Sequence, residues 1–181
     1  NGRFTDIMPL YEKNFNEISL DSEIENNNVI KSIGENLFTQ VDNKYVYLRV
    51  ADNQWKRIHT FETAPTNANN IHLTGNNKYL YIADGSSIYR YNLETMKKET
   101  FLTSSYSIIS IEEFGNYIYV SHSTSLVRFS SNGLNLTASD AETVTDGTSS
   151  NLYGNLYTLS VDGTDTLLCI TDSNTTGGTY D

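Results

Sequence analysis

A short pattern that recurs along the chain constrains the fold more than any other feature of the sequence. Turn residues are followed by Tyr-aliphatic-Tyr-aliphatic, and three copies lie in the segments 45–48, 79–82 and 117–120. A weaker fourth copy follows near Thr166, so that equivalent positions are separated by 34, 38 and 49 residues. A period of about 40 residues is typical of proteins that are built from copies of one small structural unit. We therefore expect a repeat architecture.

Each copy contains several short strand-like runs that are separated by turn residues. The runs alternate in polarity with period two, which is typical of β-strands, and no 3.6-residue pattern between them predicts crossover helices. The pairs Asp84-Gly85 and Asn132-Gly133 supply residues that tolerate positive φ, as tight hairpins between antiparallel strands require. The sequence therefore predicts an all-β fold of antiparallel four-stranded units.

Further segments carry a likeness to a known family. Residues 88–95 read Ile-Tyr-Arg-Tyr-Asn-Leu-Glu-Thr, and residues 126–129 fill the same position in the next copy. A polar and aliphatic strand at 155–161 precedes the turn Asp162-Gly163. These segments resemble the blades of bacterial β-propellers, particularly those of the two-component-regulator type. The chain lacks the Trp-Asp dipeptides and the paired glycines of two other propeller families.

The resemblance implies short antiparallel four-stranded blades, about three and a half of a larger ring. Residues 1–36 do not repeat, and we expect them to be a lead-in segment or a strand that closes the ring. Three and a half blades cannot close a ring, so their uncovered edges are expected to meet further blades of the same chain or to self-associate. The predicted units lie near 37–64, 70–105, 108–144 and 151–181.

The charge balance narrows the choice of partner. The chain carries 12 Lys and Arg residues against 22 Asp and Glu residues, for a formal net charge of −10. Nucleic acid and anionic membrane surfaces would repel such a chain, so neither is the expected main partner. No run approaches the roughly 18 apolar residues that are needed to cross a bilayer, and no membrane span is expected. A protein or a glycan is the expected partner, and the resemblance implies a bacterial cell-surface or other extracytoplasmic location.

One loop is the first candidate for a binding site. The segment 139–150 is longer than the other links between copies, and long loops on a rigid scaffold often carry function. It contains three carboxylates, which leaves open whether it is a functional insertion, an ion site or a solvated acidic loop. The candidate residues in this loop are Asp140, Glu142 and Asp146.

Aromatic side chains are the second class of candidates. Within each repeated strand the two tyrosines share one face, and we expect them to pack between neighbouring blades. Trp55, Tyr89 and Tyr91 lie on the strands that follow, where packing is still the favoured role but aromatic rings would be better placed to contact a sugar ring or a peptide. These three residues complete the predicted binding set.

The sequence contains no positive sign of catalysis. His59, His72 and His122 lie in different copies, without the close spacing to other ligands that zinc sites have, so no metal site is predicted. Cys169 lies in an apolar run and is expected to be a buried hydrophobe rather than a nucleophile. No catalytic or cofactor-binding motif occurs, so neither catalytic residues nor a cofactor are predicted.

A repeated structure without a catalytic motif favours a non-catalytic recognition or scaffolding module of a bacterial surface, envelope or sensor protein. Such a module would bind protein or glycan through its loops. Two alternatives stay open. The chain could belong to a carbohydrate-active enzyme whose catalytic residues lie outside it, or to a structural component of a large assembly such as a phage tail. The fold supports all three hypotheses, since propellers host unrelated functions.

Overall fold

The computed structural model describes residues 17–19, 27–41, 44–52, 54–62, 72–122, 125–144 and 154–170. These residues form four β-sheets and one short 3-10 turn, and every strand pair but one is antiparallel. The all-β prediction is therefore confirmed. The chain divides into two compact units, Asn1–Ala68 and Asn69–Asp181.

Sheet 1 lies in the first unit and is an antiparallel meander of four strands with a fifth strand on one edge. The first strand of the meander and the edge strand both lie in the segment 1–36, which we expected to be non-repetitive. Phe38 and Val46 are fully buried. The strands, from one edge of the sheet to the other, are β1 (Glu17–Ser19), β5 (Gln54–Thr60), β4 (Tyr45–Ala51), β3 (Asn36–Val41) and β2 (Asn27–Ile33).

The second unit contains two more four-stranded meanders and a hairpin. The meander of sheet 2 consists of β6 (Leu73–Gly75), β7 (Tyr79–Asp84), β8 (Ser87–Asn92) and β9 (Lys98–Thr103), and a short fifth strand, β13 (Leu136–Thr137), lies beside β9. Sheet 3 consists of β10 (Ile108–Phe114), β11 (Tyr117–His122), β12 (Ser125–Ser130) and β14 (Glu142–Thr143). Sheet 4 is the hairpin of β15 (Asn155–Val161) and β16 (Thr164–Ile170). The sequence repeat thus corresponds to a repeated antiparallel unit.

Sheets 2, 3 and 4 pack face to face in chain order. Buried residues of sheets 2 and 3 form one apolar cluster that includes Tyr81, Phe101, Ile118 and Phe129. Sheet 4 packs on sheet 3 through the fully buried Leu156. Burial of these side chains is the main stabilising contribution to the stack.

Hydroxyl groups also join the first strands of successive sheets. β10 lies beside both β6 and β15. The amide of Glu113 donates to Thr74 Oγ1 over 2.8 Å, and the amide of Leu156 donates to Ser110 Oγ over 3.1 Å. Each hydroxyl thus satisfies a backbone donor of the next sheet, which a buried strand edge requires. Among the described residues these sheets do not form a closed propeller.

All three predicted turns form, but only two of them contain residues with positive φ. Gly85 has φ of 62°, and Asp162 and Gly163 have φ of 50° and 77° in the sheet 4 hairpin. Neither Asn132 nor Gly133 has positive φ, and Asn135, with φ of 52°, takes the left-handed conformation instead. The amide of Gly133 donates to the carbonyl of Ser130 over 3.0 Å, so a turn forms here, but the chain then leaves sheet 3 instead of forming a hairpin.

Residues 131–137, which we call the crossing segment, run from sheet 3 to the outer edge of sheet 2. The Tyr81 hydroxyl donates to the carbonyl of Ser131, and Arg90 Nη1 donates to the carbonyl of Gly133, both over 3.1 Å. The segment ends in β13 (Leu136–Thr137), which pairs in parallel with β9. A 3-10 turn, Ala138–Asp140, then leads the chain back to β14. Part of the predicted loop 139–150 is therefore the fourth strand of sheet 3.

Candidate functional site

Three sheets contain the same cluster of two tyrosines and one arginine. The second tyrosine of each pair lies directly opposite an arginine on the next strand. The guanidinium group lies over the ring of the first tyrosine at 4.2 to 5.1 Å, a distance at which a cation is attracted to the ring face. The two rings meet edge to face at 6.1 to 6.4 Å. The clusters are Tyr45, Tyr47 and Arg57; Tyr79, Tyr81 and Arg90; and Tyr117, Tyr119 and Arg128.

In sheets 2 and 3 the fourth strand adds a carboxylate to the cluster. Arg90 Nη2 lies 3.0 Å from Glu99 Oε2, and Arg128 Nε lies 2.9 Å from Glu142 Oε2. Hydrogen bonds from Arg90 and then Lys97 lower the pKa of Glu99. The two arginines differ in environment, because the Arg90 side chain is 9% exposed and the Arg128 side chain is 36% exposed.

This difference predicts unequal effects of the same substitution. We expect Arg90→Lys to lower the free energy of unfolding by about 1–2 kcal/mol, because lysine cannot bind Glu99 and the Gly133 carbonyl with one planar group. Arg128→Lys is the matched control and should change it much less, since its ion pair is open to solvent. Urea unfolding of both variants measures the difference. Equal losses would contradict a special role for the buried arginine.

A polar cleft of about 300 Å³ opens where turns of sheets 2 and 3 meet the crossing segment. Arg90 and Tyr79 of the sheet 2 cluster form part of its wall. Its polar groups are two cations, one carboxylate, three amides and two hydroxyls. The lining residues are Asn76, Lys78, Tyr79, Arg90, Glu113, Gly115, Asn116, Ser131 and Asn132.

The turns that border the cleft are fixed by local hydrogen bonds and backbone geometry. Asn76 Oδ1 accepts the backbone N–H groups of Lys78 and Tyr79, each over 3.0 Å. This Asx-type turn positions the lysine beside the tyrosine, with Nζ 5.1 Å from the ring centre. Gly115 has φ of 63° and open space where a Cβ would stand. Its side of the cleft therefore has room beside the backbone.

The chemistry of the cleft suits a polar ligand. Ammonium, guanidinium, amide and hydroxyl groups donate hydrogen bonds, and the Glu113 carboxylate can accept them. Such a mixture can donate hydrogen bonds to hydroxyl and carboxylate groups and accept them from hydroxyl groups. No group of three or more His, Cys, Asp or Glu residues that could hold a metal ion occurs in the described part of the chain.

The acidic loop candidates have local partners in the structure. Asp140 is exposed, and it accepts hydrogen bonds from the Thr137 amide over 2.8 Å and the Thr137 hydroxyl over 2.9 Å, which lower its pKa. Glu142 lies in β14 and forms the ion pair with Arg128. Asp146 lies outside the described residues. Asp140 thus caps a turn, and Glu142 links two strands through its ion pair with Arg128.

The structure places two of the three aromatic candidates in the interior. Trp55 is 7% exposed and packs with Val41 and Tyr47, and Tyr91 is 4% exposed. Burial raises the pKa of Tyr91. Tyr89 is half-buried, and Lys98 Nζ lies 3.6 Å from its ring centre. Trp55 and Tyr91 are thus core residues, as the packing interpretation expects, and the surface alternative does not apply to them, because period two does not distinguish an open face from a packed one.

The histidines and the cysteine lie apart from the cleft. His59, His72 and His122 are each less than 10% exposed, and they belong to different parts of the two units. His122 stacks on Tyr106 at 3.9 Å between ring centres, and its Nε2 lies 2.9 Å from Ser125 Oγ. Cys169 is half-buried, is free, and packs with the cluster of Leu156.

Comparison with known proteins assigns the chain to no family. No family model matches the chain, and no curated protein matches it. Among solved structures, the chain is similar to PorZ, described as an essential bacterial surface component of the type-IX secretion system of Porphyromonas gingivalis. That similarity has a TM-score of 0.45 and 13% sequence identity, and it covers 67% of this chain and 15% of PorZ. The described residues contain no helix that is long and apolar enough to span a membrane.

Proposed function

We propose that the chain is part of a β-propeller and works as a non-catalytic recognition or scaffolding module of a bacterial surface, envelope or sensor protein. The successive face-to-face packing of sheets 2, 3 and 4 supports this proposal, as does the position of β10 beside both β6 and β15. In the proposed fold, the predicted units near 37–64, 70–105, 108–144 and 151–181 correspond to successive blades.

The polar cleft is the observation that carries the recognition function. It is bordered by turns from two sheets and by the crossing segment, and loops on a rigid scaffold are where binding residues concentrate. Arg90 is fixed by Glu99, Gly133 and the ring of Tyr79. A prearranged group of this kind loses little conformational entropy when a ligand binds.

The charge of the cleft differs from that of the chain. Two cations against one carboxylate line the cleft, whereas the chain carries a net charge of −10. We therefore propose that the ligand is a glycan or a protein segment that presents hydroxyl or carboxylate groups. The segment 139–150, with Asp140, Glu142 and Asp146, follows the crossing segment in the chain and is included in the proposed binding surface.

A charge reversal at Lys78 tests the site. Glycan and peptide arrays first identify a ligand, and calorimetry then compares variants. We expect Lys78→Glu to weaken binding at least about tenfold, because it replaces a donor cation in the cleft by a carboxylate. Lys44→Glu is the matched control, since Lys44 Nζ also lies 5.1 Å from the ring of the first tyrosine, but in sheet 1. An equal loss in both variants would contradict the cleft as the binding site.

A further inference from the structure

One turn in the wall of the polar cleft carries two neighbouring hydrogen-bond donors. Asn76 Oδ1 accepts the two backbone N–H groups of the turn, so the orientation of this amide is fixed and the hydrogens of its Nδ2 are not engaged by the turn. Lys78 follows in the same turn and is exposed. Both residues line the cleft. An amide NH₂ group and an ammonium group can each donate to one oxygen of a carboxylate.

Lys78 supplies the cation for such a carboxylate. Arg90 also lines the cleft, but its side chain is 9% exposed and forms the ion pair with Glu99. Glu113 lies in the same cleft and would repel a second anionic group on a ligand. The net charge of −10 disfavours a run of anionic groups for the same reason. The cleft therefore suits a single carboxylate, rather than a doubly charged phosphate or a polyanion.

Backbone groups of the turns that border the cleft are engaged within the protein. The Ser131 amide donates to the Asn116 carbonyl, and the Asn76 amide donates to the Tyr79 carbonyl, each over 2.9 Å. The Ser131 carbonyl accepts the Tyr81 hydroxyl. A peptide that bound through its main chain, as an added strand does, would find these groups occupied. Recognition of a ligand in the cleft therefore depends on side chains.

The side chains of the cleft match the hydroxyl groups of a sugar. The amides of Asn116 and Asn132 and the hydroxyl of Ser131 each combine a donor with an acceptor, as a sugar hydroxyl does. Among the lining residues that the structure describes, none has an aliphatic side chain to pack on the carbon atoms of a peptide side chain. The volume of about 300 Å³ lies at the lower end of the range for ligand sites, which suits one or two sugar residues.

We propose that the cleft binds one uronic acid residue of an otherwise neutral glycan. Its carboxylate accepts hydrogen bonds from Asn76 Nδ2 and Lys78 Nζ, and its hydroxyl groups bind the amides of Asn116 and Asn132. This inference rests on the recognition function proposed for the cleft and narrows it to one class of ligand. It favours a glycan over an acidic peptide, because the cleft offers hydroxyl-binding side chains in place of open backbone groups or aliphatic contacts.

Matched pairs of ligands test the carboxylate contact. The probes are disaccharides that join glucuronic, galacturonic or mannuronic acid to a neutral sugar, and each is compared with the same disaccharide after reduction of its carboxyl group to CH₂OH. Dissociation constants are measured by NMR titration at about 0.15 M salt, where long-range repulsion by the acidic chain is screened. We expect at least one uronic acid disaccharide to bind at least about tenfold more tightly than its reduced counterpart.

Variants of two similar turns assign this preference to the cleft. Asn76→Asp should abolish the preference, because aspartate still accepts the N–H groups of the turn but repels the carboxylate of the ligand. Asn92→Asp is the matched control, since Asn92 Oδ1 also accepts two backbone N–H groups but the residue does not line the cleft. Lys78→Gln removes only the charge and should also reduce the preference.

Three results would overturn the inference: no disaccharide of the panel binds, the reduced forms bind as tightly as the acids, or Asn76→Asp and Asn92→Asp have equal effects. The peptide acetyl-Gly-Glu-Gly-amide is titrated beside the disaccharides. If it binds more tightly than all of them and Asn76→Asp abolishes its binding, the cleft stays a recognition site but its ligand is an acidic peptide. The proposed function itself fails separately, if Lys78→Glu leaves the binding of the ligands found on the arrays unchanged.

Discussion

Tyr81→Ala is expected to lower the free energy of unfolding by about 3–5 kcal/mol, the loss that removal of a large buried ring produces. Tyr81 is fully buried, and its ring lies 5.1 Å from that of Phe101 in an edge-to-face arrangement. The ring is part of the apolar cluster between sheets 2 and 3, so its removal leaves a cavity where these sheets meet. Equilibrium unfolding in urea, followed by circular dichroism, measures the effect.

Two control variants distinguish the contribution of the buried ring to stability from that of its hydroxyl group and from the effect of removing an exposed tyrosine. Burial raises the pKa of Tyr81 to about 12, so the phenol is protonated at neutral pH and donates to the Ser131 carbonyl. Tyr81→Phe keeps the ring, and it should cost about 1–2 kcal/mol through that lost bond. Tyr157→Ala removes a ring that is 39% exposed, and it should cost less than about 1 kcal/mol in the isolated chain. A Tyr81→Ala loss no larger than that of Tyr157→Ala would contradict the assigned packing.

The strands that carry the tyrosine pairs could be predicted because their signal is local. Alternation of tyrosine and aliphatic residues defines β4, β7 and β11, and a glycine that tolerates positive φ ends β7 in a hairpin. The partner arginine also leaves a local signal. Arg90 and Arg128 each follow the second tyrosine of their pair by nine residues, because a tight hairpin of constant length joins the two strands.

The crossing segment could not be predicted, because its path depends on distant partners. Ser131 and Gly133 contact Tyr81 and Arg90, which lie more than 40 residues earlier in the chain. The local dipeptide Asn132-Gly133 indicates the turn, in which the Gly133 amide donates to the Ser130 carbonyl, but it does not indicate where the chain goes next.

The candidate site escaped prediction for the same reason. Its lining comes from the turns before β7 and β11 and from the crossing segment, which no sequence window brings together. For Trp55 and Tyr91 a surface position stayed open as an alternative to packing, because strand periodicity gives two faces without showing which of them is covered. In a stack of sheets both faces can be buried, so an aromatic residue on either face can be a core residue.

Acidification is expected to destabilise the protein through His72, which precedes β6 and is 4% exposed. Burial lowers the pKa of His72 from 6.5 to about 4, and the attraction of the Asp84 carboxylate only partly offsets this effect. The unfolded chain therefore binds a proton as the pH falls through 6.5, whereas the folded protein does so only near pH 4. The free energy of unfolding should decrease across this window, by a total of about 3 kcal/mol from this residue.

Comparison with a variant that lacks the imidazole isolates this contribution. The carboxylates and His122 titrate in both proteins, so their effects on the free energy of unfolding cancel in the difference between wild type and His72→Gln. Burial also lowers the pKa of His122. We expect the wild type to lose about 3 kcal/mol more than His72→Gln between pH 7 and pH 4, with the change concentrated below pH 6.5. Parallel stability curves would mean that His72 binds its proton equally well in the folded and unfolded states. Because His72 is joined to β7 by the bond from the Ala83 amide to its carbonyl, such a result would place the imidazole in contact with solvent while the strand pairing stays intact.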